Sequence, residues 1–434
     1  MAPGLRRPQF AVVNLGCKVN RVESDGFQAA LAARGFAIAP AAQADVVVVN
    51  TCTVTGEAEK KTRKAVRRAL RASQDATVVV TGCAAVIDPA EFLEMSSRVV
   101  AEPDKTKVVD AALDAIAPDE RMLAGYGPAR SASAPGAAEA SFDPALRVGA
   151  AFPTRVGVKV QDGCNNACSY CIVHVARGRA WSRPSAEVVA EAAALARAGV
   201  REIVLTGINL GSYRQEGGYR LADLLRELLA ATSAEGARFR VSSIEPRDVD
   251  DALIDVLAES DGLVCRHLHL PLQAGSASVL REMRRPYDAA FFERLVGRLR
   301  ERVPGLSLST DIIAGFPGET DAEFEETLSL ARACGFSKIH AFPYSRRAGT
   351  PAAARADQVP DHVKAERTAR LLELSDALRA ADFAGRVGSV ERVLVEEGGR
   401  GMTESYHEVV VPAGERPGAL IPLTLHADMR IEGA

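Results

Sequence analysis

The sequence has no apolar run of membrane-spanning length. Its most apolar stretches, "VVVVN" and "TVVVTG", are strand-sized. The start, "MAPGLRRPQF", lacks the apolar core of a signal peptide, so a cytoplasmic chain with no membrane partner is expected. A global basic excess is also missing. The formal net charge is −3 over 434 residues, so any surface that attracts nucleic acid must be local. No second closely spaced cysteine pair accompanies the cluster Cys164, Cys168 and Cys171. That counts against structural zinc, which takes four ligands, often from two CxxC pairs, although His174 stands near enough to be a fourth. Eight cysteines in a large chain of this class point to metal or catalytic use more than to a disulfide framework.

What is present is a long α/β alternation, and the length predicts two or three domains. The strands "QFAVVNLGC", "ADVVVVNTC" and "ATVVVTGC", with "SRVVAEP" as a fourth, are separated by helical patterns. Those helices are expected over Glu23 to Ala33 and Glu57 to Ala72. This predicts a parallel sheet in an N-terminal α/β domain over 1–123. Residues 124–149 are rich in Ala, Ser, Gly and Pro and predict a flexible linker. Six further strands follow: "RVGVKVQ", "REIVLTGI", "RFRVSSIEP", "HLHLPLQ", "LSLSTDIIAGF" and "KIHAFPYS". They predict a partial (β/α)6 barrel over 150–375, with chemistry at the carboxyl ends of its strands. A helix is expected from about Asp361 to Asp382. Short Gly- and Pro-punctuated strands then predict a small β-barrel over 376–434.

The stretch "CNNACSYC" places three thiols among Asn, Ser and Tyr, where a buried small hydrophobe fits poorly. Three thiolates hold three irons of a four-iron cubane and leave one open for a small molecule. The first of these cysteines follows the first barrel strand, at the barrel mouth. Cys17, Cys52 and Cys83 each sit just past a strand of the N-terminal sheet. Carboxyl ends of parallel strands share one edge, so these three also converge, again one short of four. Cys265 and Cys334 lie within apolar patterns and are expected to pack.

The triad Cys164, Cys168 and Cys171 resembles the CxxxCxxC loop of the radical S-adenosylmethionine (SAM) superfamily. The stretches "NLGCKVNRVESD", "VVNTCTVTGEAEKKTRK", "TGCAAVIDP", "LTGINLGSY", "HLHLPLQAGS", "STDIIAGFPGET" and "FPYSRRAGTPAA" resemble the methylthiotransferases of that superfamily over nearly the whole chain. Within the group, "LGCKVN" and "NTCTVT" are similar to the enzymes acting on N6-threonylcarbamoyladenosine in tRNA. The resemblance implies two 4Fe-4S clusters and SAM as cofactors. It also implies tRNA as substrate, with a reductant such as flavodoxin or ferredoxin and a sulfur source as partners. The implied reaction adds a methylthio group to C2 of the modified adenosine at tRNA position 37, through a radical derived from SAM.

The same resemblance puts "LTGIN" on the strand that meets SAM and so implies contacts at Thr206 and Gly207. Ser242 and Glu245 offer polar groups in "SSIEP", and Gln273 and Asp311 end later strands facing the cavity. Ile172, next after the last cysteine, is placed to pack on adenine. At helical spacing, Lys60, Lys64, Arg67 and Arg71 form one stripe, either a solvated face or a grip on RNA phosphates. The C-terminal domain resembles the RNA-binding TRAM module, though its mixed charge and few aromatics depart from it. Two other readings stay open. One is a methylthiotransferase for another modified adenosine or a ribosomal-protein aspartate. The other is a non-catalytic Fe–S or zinc RNA-binding protein.

Overall fold

The computed structural model describes residues 7–116 and 154–431. The expected linker lies outside the described residues. The chain divides into two compact units, and the seven residues Ile172–Gly178 belong to the first.

In the first unit, β1 (Gln9–Asn14), β2 (Ala37–Ile38), β3 (Val46–Thr51), β4 (Thr77–Gly82) and β5 (Val99–Ala101) form a parallel sheet in the order β2-β1-β3-β4-β5. Every residue of β3 is buried, as expected for a β-branched strand covered on both faces. Helix α1 spans Lys18–Ala33 and α2 spans Gly56–Ala72. The first begins a turn and a half earlier than the sequence suggests. Its N-cap is Cys17, whose side chain makes no cap hydrogen bond, so the usual start signal is missing. Helix α2 is capped by Thr55, which accepts from the Ala58 N–H at 3.1 Å. It buries Thr62, Val66 and Ala69 against the sheet. The opposite face carries Lys60, Lys64, Arg67 and Arg71, all exposed.

In the second unit, β6 (Val156–Lys159), β9 (Glu202–Thr206), β10 (Arg238–Val241), β11 (His267–His269), β12 (Ser307–Ala314) and β13 (Lys338–Pro343) follow one another around a partial barrel. The isolated bridges Phe239↔Val264 and Ser243↔His269 join its two three-stranded halves. A small ribbon, β7 (Gln161–Asp162) with β8 (Trp181–Ser182), brackets the three-cysteine loop. A helix over Asp361–Ala384 runs through position 375. It leads to a four-stranded antiparallel sheet of β14 (Val390–Glu396), β15 (Arg400–Thr403), β16 (Glu408–Val410) and β17 (Leu420–Thr424), in the order β16-β15-β14-β17. Phe383, Val393, Val395, Val409, Val411 and Leu425 fill its core.

The amino-terminal end of the barrel is closed by charge. The buried Glu202 carboxylate accepts from Arg238 Nε at 2.7 Å and from Arg240 Nε at 2.7 Å. The spare N–H groups of both arginines donate to the backbone carbonyls of Arg392, Met402, Thr403 and Glu404. The Tyr406 ring stacks on His267 at 4.6 Å and lies 4.8 Å from the Arg240 guanidinium. Tyr406 adopts φ +70°, a left-handed conformation that few side chains tolerate. The turn Thr403–His407 is thus held against the barrel floor.

Asp382 anchors the long helix to this turn. Its carboxylate pairs with His407 Nε2 at 2.7 Å and with Arg386 Nε at 2.9 Å. Burial alone would raise this carboxyl. The hydrogen bonds from His407 and Arg386, with their charge, overcome it and hold the group at about 2, from an ordinary 3.8. A depressed carboxyl stabilises the fold above its unfolded value, and that stability goes as pH falls through the folded one. The second unit is therefore expected to lose about 2 kcal/mol between pH 4 and pH 2 from this group. Urea titrations across that window check this, and Asp382→Asn should remove this share of the acid slope.

Candidate cluster and cofactor sites

Register brings the first three cysteines together. Asn14 pairs with Asn50, Asn50 with Thr81, and Thr51 with Gly82. Cys17, Cys52 and Cys83 follow these positions at the carboxyl edge. Gly16 and Gly82 hold φ +100° and +91°. At Gly16 even a Cβ would come within 2.8 Å of the Cys52 sulfur, so only glycine lets the loops approach this closely. Asn20 Nδ2 donates to the carbonyls of Leu15 and Thr51, both at 2.8 Å. Asn50 Nδ2 donates to the Asn20 carbonyl at 3.0 Å. Thr51 Oγ1 accepts from the Ala84 N–H at 3.1 Å. These amides and hydroxyls tie the three loops to one another.

Burial pushes the Cys52 thiol up to about 11. The Val54 N–H opposes the rise, and the neighbouring Cys17 and Cys83 add to it. A bound cation would offset this cost at Cys52, and a coordinating metal deprotonates a thiol outright. Arg177 supplies part of that charge. Its guanidinium opposes the rise at Cys52 and pairs with the buried Glu23 carboxylate at 2.9 Å. Glu23 also pairs with Lys105. Arg177 sits in the short helix Val173–Arg177, six residues after Cys171, and sequence reasoning missed it.

The second triad lies between β7 and β8. Asn166 N–H points at the Cys164 sulfur at 3.4 Å, and Arg285 Nη1 reaches the Cys168 sulfur at 3.1 Å. Burial raises the Cys164 thiol. The Asn166 N–H opposes the rise, while Cys168 and Glu245 add to it. Arg285 Nη2 also holds both oxygens of Glu245, at 2.7 and 2.8 Å. The Glu245 carboxylate in turn accepts from Asn166 Nδ2 at 3.3 Å. N–H donors directed at sulfur, with a guanidinium beside them, fit an anionic iron–sulfur cluster. Arg285 was not anticipated, because nothing in "REMRRPYD" marks it. His174 is exposed.

The expected SAM residues fall into groups. Ser242, and with it Asn209, which sequence reasoning did not name, carry buried side-chain oxygens with no hydrogen-bond partner among the described residues, at the carboxyl ends of β10 and β9. Orphaned polar atoms at a barrel mouth fit a polar ligand. Thr206 is buried, and its hydroxyl donates to the Val158 carbonyl at 3.2 Å. A Cβ at Gly207 would come within 2.8 Å of Gln161 Oε1, which already accepts from the Asn209 N–H. Gln273 is buried at φ +69°, and its N–H donates to the Asp311 carbonyl at 2.8 Å. Ile172 is buried and packs in the first unit. Asp311 stands with His269 and His340. Cys265 and Cys334 are buried, as expected. No helix among the described residues is long and apolar enough to cross a membrane.

A partial (β/α)6 barrel with a CxxxCxxC loop at its mouth defines a radical SAM enzyme. The model of the radical SAM superfamily matches residues 158–331, and that of the uncharacterized protein family UPF0004 matches residues 9–101. The chain is 40% identical to the threonylcarbamoyladenosine tRNA methylthiotransferase MtaB of Bacillus subtilis, covering 92% of this chain and 90% of that one. It is 39% identical to the tRNA-2-methylthio-N(6)-dimethylallyladenosine synthase of Sorangium cellulosum, over 90% and 82% of the two chains. Among solved structures, the fold is similar to the radical SAM methyltransferase TsrM of Kitasatospora setae. The TM-score is 0.55 at 20% identity, covering 80% of this chain and 77% of that one. The chain belongs to the radical SAM methylthiotransferase family, whose radical SAM membership implies SAM and a 4Fe-4S cluster.

Proposed function

We propose that this enzyme is a cytoplasmic tRNA methylthiotransferase that adds a methylthio group to C2 of N6-threonylcarbamoyladenosine at position 37. The observation that carries this reading is the pair of three-cysteine sites, each at the carboxyl edge of a different parallel sheet and each one ligand short. The relative acting on threonylcarbamoyladenosine supports the choice of substrate.

Cys164, Cys168 and Cys171 would hold one cluster, and Cys17, Cys52 and Cys83 the other. When bound, the first supplies the electron that splits SAM and the second the sulfur for transfer. The chain's own work is orientation and exclusion. Arg285 and Asn166 donate to the sulfurs of the first site. Glu245, fixed by Arg285, presents a carboxylate toward a cofactor hydroxyl or amine. The orphan oxygens of Ser242 and Asn209 wait for polar groups of SAM. Thr206, Gly207 and Gln273 shape the strand ends against which it lies. A flavodoxin- or ferredoxin-like reductant and a separate sulfur source complete the set of partners. Mass spectrometry of tRNA nucleosides from a deletion strain tests the assignment. Loss of the methylthio derivative of threonylcarbamoyladenosine is expected. Loss of the isopentenyladenosine derivative instead would overturn it.

The exposed stripe on α2 is assigned to tRNA phosphates. Neutralising Lys60, Lys64, Arg67 and Arg71 together should weaken tRNA binding. It should also flatten the slope of log affinity against log salt by up to about 3. Filter-binding at several salt concentrations checks this, and an unchanged slope returns the stripe to a solvated face.

A further inference from the structure

We infer that Arg285 sets the reduction potential of the cluster held by Cys164, Cys168 and Cys171. It acts through the Cys168 sulfur, and Glu245 decides how much of its charge is felt there. This rests on the reading that the three cysteines hold an iron–sulfur cluster, and it adds two positioning residues to that site.

Backbone fixes the approach of the guanidinium. The helix Ala277–Glu282 is closed by Met283, and Arg284 then takes φ +56°, a left-handed conformation that few side chains tolerate. The Arg285 N–H donates to the Leu280 carbonyl at 2.9 Å, which turns the chain back. The cysteine loop is tied to the same turn. The Ser169 N–H donates to the Met283 carbonyl at 3.0 Å, and Ser169 Oγ donates to the Glu282 carbonyl at 2.7 Å. Ser169 directly follows Cys168, so the thiol and the arginine share one set of supports.

The side chain is held as closely. Arg285 Nε donates to Tyr287 Oη at 3.1 Å, and the guanidinium carbon lies 4.9 Å from the Tyr287 ring centroid. Tyr287 is itself buried, and its hydroxyl donates to the Pro271 carbonyl. The guanidinium then divides its other two nitrogens between partners of different kinds. Nη1 reaches the Cys168 sulfur at 3.1 Å, while Nη2 holds both Glu245 oxygens. The Arg285 and Glu245 side chains are only 5% and 10% exposed, so water screens these charges weakly.

The charges act in opposite senses. On reduction, one electron enters the cluster from a flavodoxin- or ferredoxin-class donor, and the cluster becomes more negative by one charge. No bond at Arg285 forms or breaks. A cation and an N–H donor at a ligand sulfur favour the more negative state and so raise the potential. The Glu245 carboxylate neutralises part of the same guanidinium and so lowers it. A role confined to fastening the loop predicts no such opposition. Loss of either partner would loosen the same contact and move the potential in the same direction.

The test is a potentiometric titration of the full-length reconstituted enzyme, followed by electron paramagnetic resonance. The barrel cluster is identified as the signal absent from the variant with alanine at Cys164, Cys168 and Cys171. Arg285→Met should lower its midpoint by the equivalent of about tenfold in the reduced-to-oxidised ratio, or about 59 mV for one electron. Arg285→Lys, which keeps the charge without the planar fork, should fall between that value and the unsubstituted one. Glu245→Gln should raise the midpoint. An unmoved midpoint in Arg285→Met, or shifts of one sign in Arg285→Met and Glu245→Gln, overturns the inference and leaves the cluster assignment standing. If Arg285→Met takes up no iron at this site, Glu245→Gln decides alone, and a midpoint at or below the unsubstituted value overturns the inference. A triple-alanine variant that keeps every signal overturns the cluster assignment itself.

Discussion

An enzyme with alanine at Cys17, Cys52 and Cys83 is expected to cleave SAM reductively and to form no methylthio-adenosine. The three residues end strands of the first unit, while the SAM-side residues Arg285, Glu245, Ser242 and Asn209 all lie in the second. Iron should fall from about eight to about four per chain. The companion variant, with alanine at Cys164, Cys168 and Cys171, should show the same fall in iron but form no 5′-deoxyadenosine. Loss of a metal centre also removes folding energy, so circular dichroism must precede any reading of activity. Methylthiolated tRNA from a folded first variant would show that its cluster does not carry the sulfur. Retained SAM cleavage in the second would remove the radical role from the barrel loop.

Glu202→Ala is expected to be the most damaging single substitution outside the cysteines. Glu202 is fully buried between Arg238 and Arg240, themselves at most 1% exposed. Those two guanidiniums, with Arg155 near them, hold its carboxyl well below the usual range although burial pushes the other way. Removing the carboxylate leaves two buried cations with only backbone carbonyls. The cost of breaking such a pair is about 3–5 kcal/mol. Urea denaturation should show it as an earlier unfolding of the second unit, or the protein should fail to accumulate. An unfolding midpoint equal to that of the unsubstituted chain would mean the floor network contributes nothing net.

The cysteine edge of the first unit was legible because a parallel sheet leaves little choice. "VVNLGC", "VVVVNTC" and "VVVTGC" end in the same sense, and register then places their tails together. All six barrel strands were legible for a related reason, since each is a short stretch of continuous or alternating apolar residues between helical patterns. Strand β2 was missed, since two residues carry no period. Buried charge was not legible at all. Glu202, Arg238 and Arg240 look in sequence like any polar residue at a strand start. Only the fold shows that they face one another and not water. Arg285 and Arg177 were missed for the same reason, since a guanidinium placed against distant thiols leaves no local spacing. Asp311 was expected beside SAM. It stands with His269 and His340, a neighbourhood set by the pairing of three strands, which the sequence around any one of them does not reveal.

The turn at Thr403–His407 covers the strand starts of the barrel. Among the described residues, Tyr406 and the paired arginines cover the amino-terminal ends of β9 to β11, opposite the cysteine-bearing end. A truncation that removes the C-terminal sheet therefore does more than delete a candidate RNA-binding appendage. It strips four carbonyl acceptors from Arg238 and Arg240 and leaves two buried guanidiniums facing water. Activity lost on such a truncation would report a weakened barrel as readily as a lost grip on tRNA. Point changes on the outer face of that sheet are the cleaner probe.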